Sequence, residues 1–142
     1  MRLPLLVIFS FWVVNSVFAC DCIMYPVQSY IDTSEYIILA KTERVTQEKG
    51  MPNMHHASMS VTRIFKGGLK KGEIVDFGSD GSDCSLRFEE NKEYLLFCFK
   101  MNGKFYVYPC SYSDESKVSQ KNIRKIEKYI FETSRRHKQK RQ

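Results

Sequence analysis

Tyr94-Leu95-Leu96-Phe97-Cys98-Phe99 and Phe105-Tyr106-Val107-Tyr108 flank Asn102-Gly103. Two β-rich apolar runs about an Asn-Gly pair spell a hairpin, because both turn residues must take positive φ and these two tolerate it. Upstream, Glu73-Ile74-Val75-Asp76-Phe77 reads as a short strand. The segment His55 to Phe65 alternates across Ala57, Met59, Val61 and Ile64-Phe65, which makes a further strand. Lys66-Gly67-Gly68 turns the chain between these two. Tyr36 to Thr46 is apolar almost without interruption in its first half and alternates in its second, which predicts a strand buried at one end.

Gln47 to Asn53 holds Gly50 and Pro52 and reads as a loop, and Gly78 to Asp83 is a polar, Gly-rich loop ending at Cys84. Two helices are predicted. Pro26 to Ser34 puts Val27, Tyr30 and Ile31 at helical spacing, with Pro in the first turn. Ser119 to Thr133 puts Ile123, Ile126, Ile130 and Tyr129 on one face, with Ser119 placed to cap it. The expected fold is therefore mostly β: a five-stranded OB-fold barrel, which leaves no long open edge, with a short N-terminal helix and a C-terminal helix. A β-sandwich is the alternative, but it ordinarily uses about seven strands.

The chain opens with Met1-Arg2 and an apolar run from Leu3 to Val14, followed by Val17-Phe18-Ala19. A basic start, an apolar stretch and small or aliphatic residues three and one before a cut describe a signal peptide over residues 1–19. The run is short of the ~20 residues of a membrane span, so cleavage is favoured over an uncleaved anchor, and the mature protein is expected to be secreted and not membrane-spanning. Residues 20–133 then form one domain, and 134–142 a basic tail. Only Arg2 is charged in the leader, so the formal net charge of +6 becomes +5. Arg135-Arg136-His137-Lys138-Gln139-Lys140-Arg141 holds much of that excess. Such a run is ordinarily a solvated, frayed tail, and it also suits anionic partners such as the extracellular matrix. Nucleic acid is not expected as a partner of a secreted chain with no second basic stripe.

Catalytic signatures are absent: there is no Cys-x-x-Cys, Gly-x-Ser-x-Gly or His-Glu-x-x-His. His55 and His56 are neighbours on a strand and point to opposite faces, so they cannot share a metal. The acidic residues from Asp80 to Asp83 do not have EF-hand spacing. The protein is not expected to be an enzyme, and no cofactor of its own is expected.

The unusual feature is Cys20-Asp21-Cys22. Cleavage after Ala19 gives Cys20 a free α-amino group, whose pKa of about 7.7–8.0 leaves a useful neutral fraction near pH 7. A neutral amine and the carbonyl oxygen of the same residue can close a five-membered chelate on a metal ion, and catalytic zinc keeps an open position for such a ligand. The five cysteines, Cys20, Cys22, Cys84, Cys98 and Cys110, read as a disulfide framework with one left over. Spacing does not choose among the ways of pairing them, and from the residues alone the plainer reading of Cys20 and Cys22 is that they are disulfide partners near a chain end and nothing more.

The chain resembles the N-terminal, netrin-like (NTR) domain of the tissue inhibitors of metalloproteinases, the TIMP family. The resemblance covers most of Cys20 to Tyr129 and rests on several stretches in order. These are Cys20-x-Cys22 after the leader, a short helix, the strand Ile37 to Arg44, and Ser60-Val61-Thr62-Arg63-Ile64-Phe65-Lys66-Gly67. Cys84-Ser85-Leu86-Arg87-Phe88, Lys92-Glu93-Tyr94-Leu95-Leu96 and Gly103-Lys104-Phe105-Tyr106-Val107-Tyr108-Pro109-Cys110-Ser111 follow.

The resemblance implies an OB-fold that inhibits zinc endopeptidases. Cys20 would chelate the protease zinc in trans and Asp21 would enter the specificity pocket. Cys22 would anchor the ridge, Ile23 and Met24 would continue it, and Ser82-Asp83-Cys84 would widen the contact. It also implies the pairs Cys20–Cys84 and Cys22–Cys110, each contributing about 4 kcal/mol on chain-entropy grounds. Cys98 has no counterpart and is expected to be a buried free thiol. The family's third bond is missing, with Asp32 near its helical position. Other functions compatible with the sequence are a non-inhibitory NTR binding module and, from Val17-Phe18-Ala19-Cys20, a lipoprotein acylated at Cys20.

Overall fold

The computed structural model describes residues 22–47, 49, 55–78, 81, 82 and 84–139. Its elements run α1 (Val27–Thr33), β1 (Tyr36–Gln47), β2 (His55–Lys66), β3 (Ile74–Gly78), β4 (Glu93–Met101), β5 (Lys104–Val107), β6 (Asp114–Glu115) and α2 (Gln120–Gln139). β1 pairs antiparallel with β2, β2 with β3, and β4 with β5, while β3 and β5 run parallel from Phe77 opposite Phe105. The first half of β1 also pairs with β4, from Tyr36 opposite Cys98 to Lys41 opposite Glu93, and this closes the five strands into a barrel. β1 can serve two partners because register shifts at Ile37/Ile38, Leu39/Ala40 and Thr42/Arg44 bend it sharply. The expected mostly-β, OB-like barrel with one helix at each end is what forms.

The apolar runs are explained by burial on both faces. Along β1, Ile38 and Ala40 point into the barrel, while Ile37 and Leu39 point out beneath the helices. Along β4, Tyr94, Leu96 and Cys98 face inward and Leu95 and Phe97 face outward. The inner cluster adds Met59, Val61, Phe77 and Phe105; the outer one adds Val27 and Ile31 from α1 and Ile123 and Ile126 from α2. At about 25 cal/mol per Å2 of buried apolar surface, these two layers supply most of the drive to fold. The Asn102-Gly103 turn has φ of 51° and 81°, as a two-residue hairpin of primed type requires.

The Lys66-Gly67 turn has a double role. Lys66 Nζ donates to the carbonyl oxygens of Ile31 at 2.8 Å and Asp32 at 3.0 Å, satisfying the C-terminal carbonyls of α1 with a cation. Gly67 takes φ of 106°, and a Cβ there would collide with the Tyr36 ring. The turn therefore fixes α1, and with it the residues just before α1, against the barrel.

Three points of the expected fold need adjusting. β6 was not anticipated: its two residues pair with Tyr94 and Leu95 on the β4 edge that β5 leaves free. α2 runs six residues past Thr133, so residues 134–139 of the expected tail are helical. Ser119 begins α2 through its carbonyl oxygen, which accepts from the N–H groups of Asn122 and Ile123 at 2.9 Å. Its hydroxyl is buried and has no hydrogen-bond partner among the described residues, so the side chain does not cap.

Candidate functional site

The site is built where the chain enters the barrel. Cys22 is bonded to Cys110, with 5.3 Å between their Cα atoms. Cys110 sits in the loop joining β5 to β6 and takes φ of 56°, a left-handed conformation unusual for a residue with a side chain. The loop is held from the β4 edge. The Tyr108 N–H donates to the Phe97 carbonyl oxygen at 2.9 Å, and the Phe97 N–H donates to Ser113 Oγ at 2.8 Å.

Tyrosines clamp the segment from Cys22 to Pro26. The Tyr30 hydroxyl donates to the Cys110 carbonyl oxygen at 2.9 Å, and the Tyr112 hydroxyl donates to the Tyr25 carbonyl oxygen at 2.9 Å. The Tyr30 ring stands edge-on to Tyr112, 5.5 Å between centroids, and 6.2 Å from the core ring of Phe97. The backbone is thus fixed while three apolar side chains face solvent: Ile23, Met24 and Tyr25 are 74%, 47% and 58% exposed. Consecutive exposed apolar residues on a fixed backbone form a contact surface without an ordering cost on binding.

Cys84 is disulfide-bonded, and the sulfur atoms of Cys22, Cys84 and Cys110 lie within 4.8 Å of one another. That spacing would suit a metal ion if the three were thiolates, but disulfide sulfurs lack the anionic lone pair that ligates. The cluster is therefore a junction of disulfide sulfurs at which the Cys84 loop lies beside Cys22 and Cys110. In that loop the Ser85 N–H donates to the Ser82 carbonyl oxygen at 3.1 Å, and the two serine hydroxyls are 3.3 Å apart. A cleft of about 290 Å3 lies behind the junction, lined by Met24, Arg87, Phe88, Tyr108, Pro109 and Ser113.

Of the residues expected to make the contact, Cys22, Ile23, Met24, Ser82 and Cys84 are described, and the junction brings Cys22 and Cys84 together. Cys20, Asp21 and Asp83 lie outside the described residues, so the Cys20–Cys84 pair has one end outside them. The Cys22–Cys110 bond is present. Cys98 is free and buried, and burial pushes its thiol pKa far up, which leaves it without nucleophilic character. Sequence reasoning missed Tyr30, Tyr112 and Ser113 as holders of the site. Tyr30 reads only as part of a helical face, and nothing periodic marks Tyr112 and Ser113 in the loop after Cys110.

In comparisons with known proteins, no family model matches the chain and no curated protein matches it significantly. Among the described residues, no helix is long and apolar enough to cross a membrane.

Proposed function

We propose that this is a secreted inhibitor of zinc endopeptidases that presents the Cys20 amine and carbonyl oxygen to the protease zinc. The observation that carries the reading is the sulfur junction: Cys22, two residues from the proposed amino terminus, is fixed beside the Cys84 loop and the Cys110 loop. The reading takes Cys20 as the partner of Cys84, which would anchor the terminus on both sides of Asp21. The tyrosine clamp supports it, because a chelating group gains most when its backbone is ordered beforehand. Ile23 and Met24 supply apolar contact beyond the zinc, and Ser82-Asp83 extend it.

Asp21 shapes the target. A carboxylate costs several kcal/mol in an apolar pocket if unpaired, and it favours the protonated amine, which cannot chelate. The favoured target is a zinc endopeptidase whose specificity pocket is basic or polar. Acylation of Cys20 as a lipoprotein would convert its thiol to a thioether and leave Cys84 without the partner proposed here. A non-inhibitory binding module would use the same exposed Ile23-Met24-Tyr25 surface without zinc.

Intact mass and N-terminal sequencing of the secreted protein, followed by a panel of zinc endopeptidases, test the reading. It requires a free Cys20 amine, a mass four hydrogens below the fully reduced chain, and inhibition of at least one enzyme. An acylated Cys20, or no inhibition across pockets of both apolar and basic type, would rule it out.

A further inference from the structure

We propose that the solvent face of α2 is a docking surface for a linear anionic polysaccharide. The helix carries seven Lys or Arg and two Glu, so it holds five of the chain's net six positive charges. The rest of the molecule is close to neutral. Lys121, Lys125, Lys128, Glu132 and Arg135 recur three or four residues apart and therefore share one face, with Arg124 and Arg136 beside them. All of these side chains are exposed. From Lys121 to Arg136 the stripe is about 22 Å long at the helical rise. The basic residues at 135 and 136 thus belong to a rigid, extended array.

The acidic residues barely interrupt it. Glu127 turns to the flank, where Arg63 of β2 takes it at 2.6 Å. Glu132 alone lies within the stripe, 4.0 Å from Lys128.

The occupant follows from what the other face does. A helix that binds a lipid surface buries its apolar face in the bilayer boundary. In α2 that face is spent: Ile123 and Ile126 are buried beneath the helix in the outer core. Phe131 is exposed, but the Arg135 guanidinium covers its ring at 5.0 Å. Single-stranded nucleic acid is held by free aromatic faces on which bases stack, and the stripe offers none. A flexible chain bearing sulfate or carboxylate groups needs only a row of cations with freedom to adapt, and that is what the face supplies. The inference shares only the extracellular setting with the proposed inhibitor, and its test involves no protease.

The test measures binding of the full secreted protein to heparin by titration calorimetry at physiological salt. Lys121→Gln/Lys125→Gln/Lys128→Gln removes three charges from the stripe. Lys70→Gln/Lys71→Gln/Lys104→Gln removes three exposed charges elsewhere, and circular dichroism checks the fold of both. The stripe variant is expected to bind at least about tenfold more weakly and the control within about twofold of the parent, with affinity falling as salt rises. Glu132→Gln should bind more tightly than the parent. Equal losses in both triple variants would overturn the proposal by making the attraction a matter of net charge. So would a loss seen only on Arg135→Gln/Arg136→Gln, or tighter binding to phosphatidylserine vesicles or duplex DNA than to heparin.

Discussion

The Tyr112 hydroxyl donates a hydrogen bond to the Tyr25 carbonyl oxygen at 2.9 Å, joining residues 87 apart in the chain and tying the N-terminal segment to the loop that follows Cys110. With the Cys22–Cys110 bond it restrains the exposed segment at both ends, and the Tyr30–Cys110 hydrogen bond ties the same loop to α1. Tyr112→Phe removes its hydrogen bond and leaves the edge-on ring contact with Tyr30. The variant should fold with stability within about 1 kcal/mol of the parent. Amide exchange at Ile23 to Tyr25 should quicken, and inhibition should weaken through faster dissociation. Unchanged exchange would show that the clamp is dispensable.

The Cys22–Cys110 bond closes a separation of 88 residues, and on chain-entropy grounds its loss costs about 4–5 kcal/mol. Cys22→Ala/Cys110→Ala should lower the denaturant midpoint accordingly without changing the secondary structure. A loss well under 1 kcal/mol would show that the tyrosines and the core alone position the loop.

Gly67 allows no side chain. Its φ of 106° and the adjacent Tyr36 ring make Gly67→Ala both strained and overpacked, and the expected loss is about 2–4 kcal/mol. Because Lys66 caps α1, the damage should spread to α1, and chemical shifts from Val27 to Thr33 should move along with those of Tyr36.

Three phenols should ionise late. Burial raises the pKa of Tyr94 and of Tyr108, and the hydrogen bond to Asp32 raises that of Tyr129. Each is protonated more firmly in the folded state than in the unfolded one. This contribution to stability is complete below the unfolded value of about 10 and is lost as pH rises through the higher folded values. Absorbance at 295 nm should show a late-titrating group of tyrosines, and thermal stability should fall across the same alkaline range. Tyr129→Phe should remove one late phenol.

The Tyr129 hydroxyl lies 3.1 Å from both carboxylate oxygens of Asp32, so a hydrogen bond links α1 to α2. The pair illustrates what a sequence can disclose. Asp32 and its partner are 97 residues apart, and no periodicity in the sequence connects them. The barrel was legible because Ala57, Met59 and Val61 alternate and Asn102-Gly103 dictates its own turn. The runs at Ile37-Ile38-Leu39-Ala40 and Tyr94 to Phe99 were legible as strands, but that helices cover their second face is visible only in the structure. β6 was not, since Asp114-Glu115 is polar and is recruited by a free strand edge. The last turns of α2 were not either, because Ser134 to Gln139 have no apolar spacing to read. In the site, the cysteines announced themselves by type, while the tyrosines that hold the segment look in sequence like any core aromatic.

The most direct test compares the mature protein bearing a free Cys20 amine with the same protein acetylated at that amine or extended by one alanine. All three forms are assayed against the same zinc endopeptidases after intact mass has verified two disulfides. The account predicts inhibition by the free form and its loss in both blocked forms, with circular dichroism unchanged. Equal inhibition by the blocked forms would contradict chelation by the amino terminus.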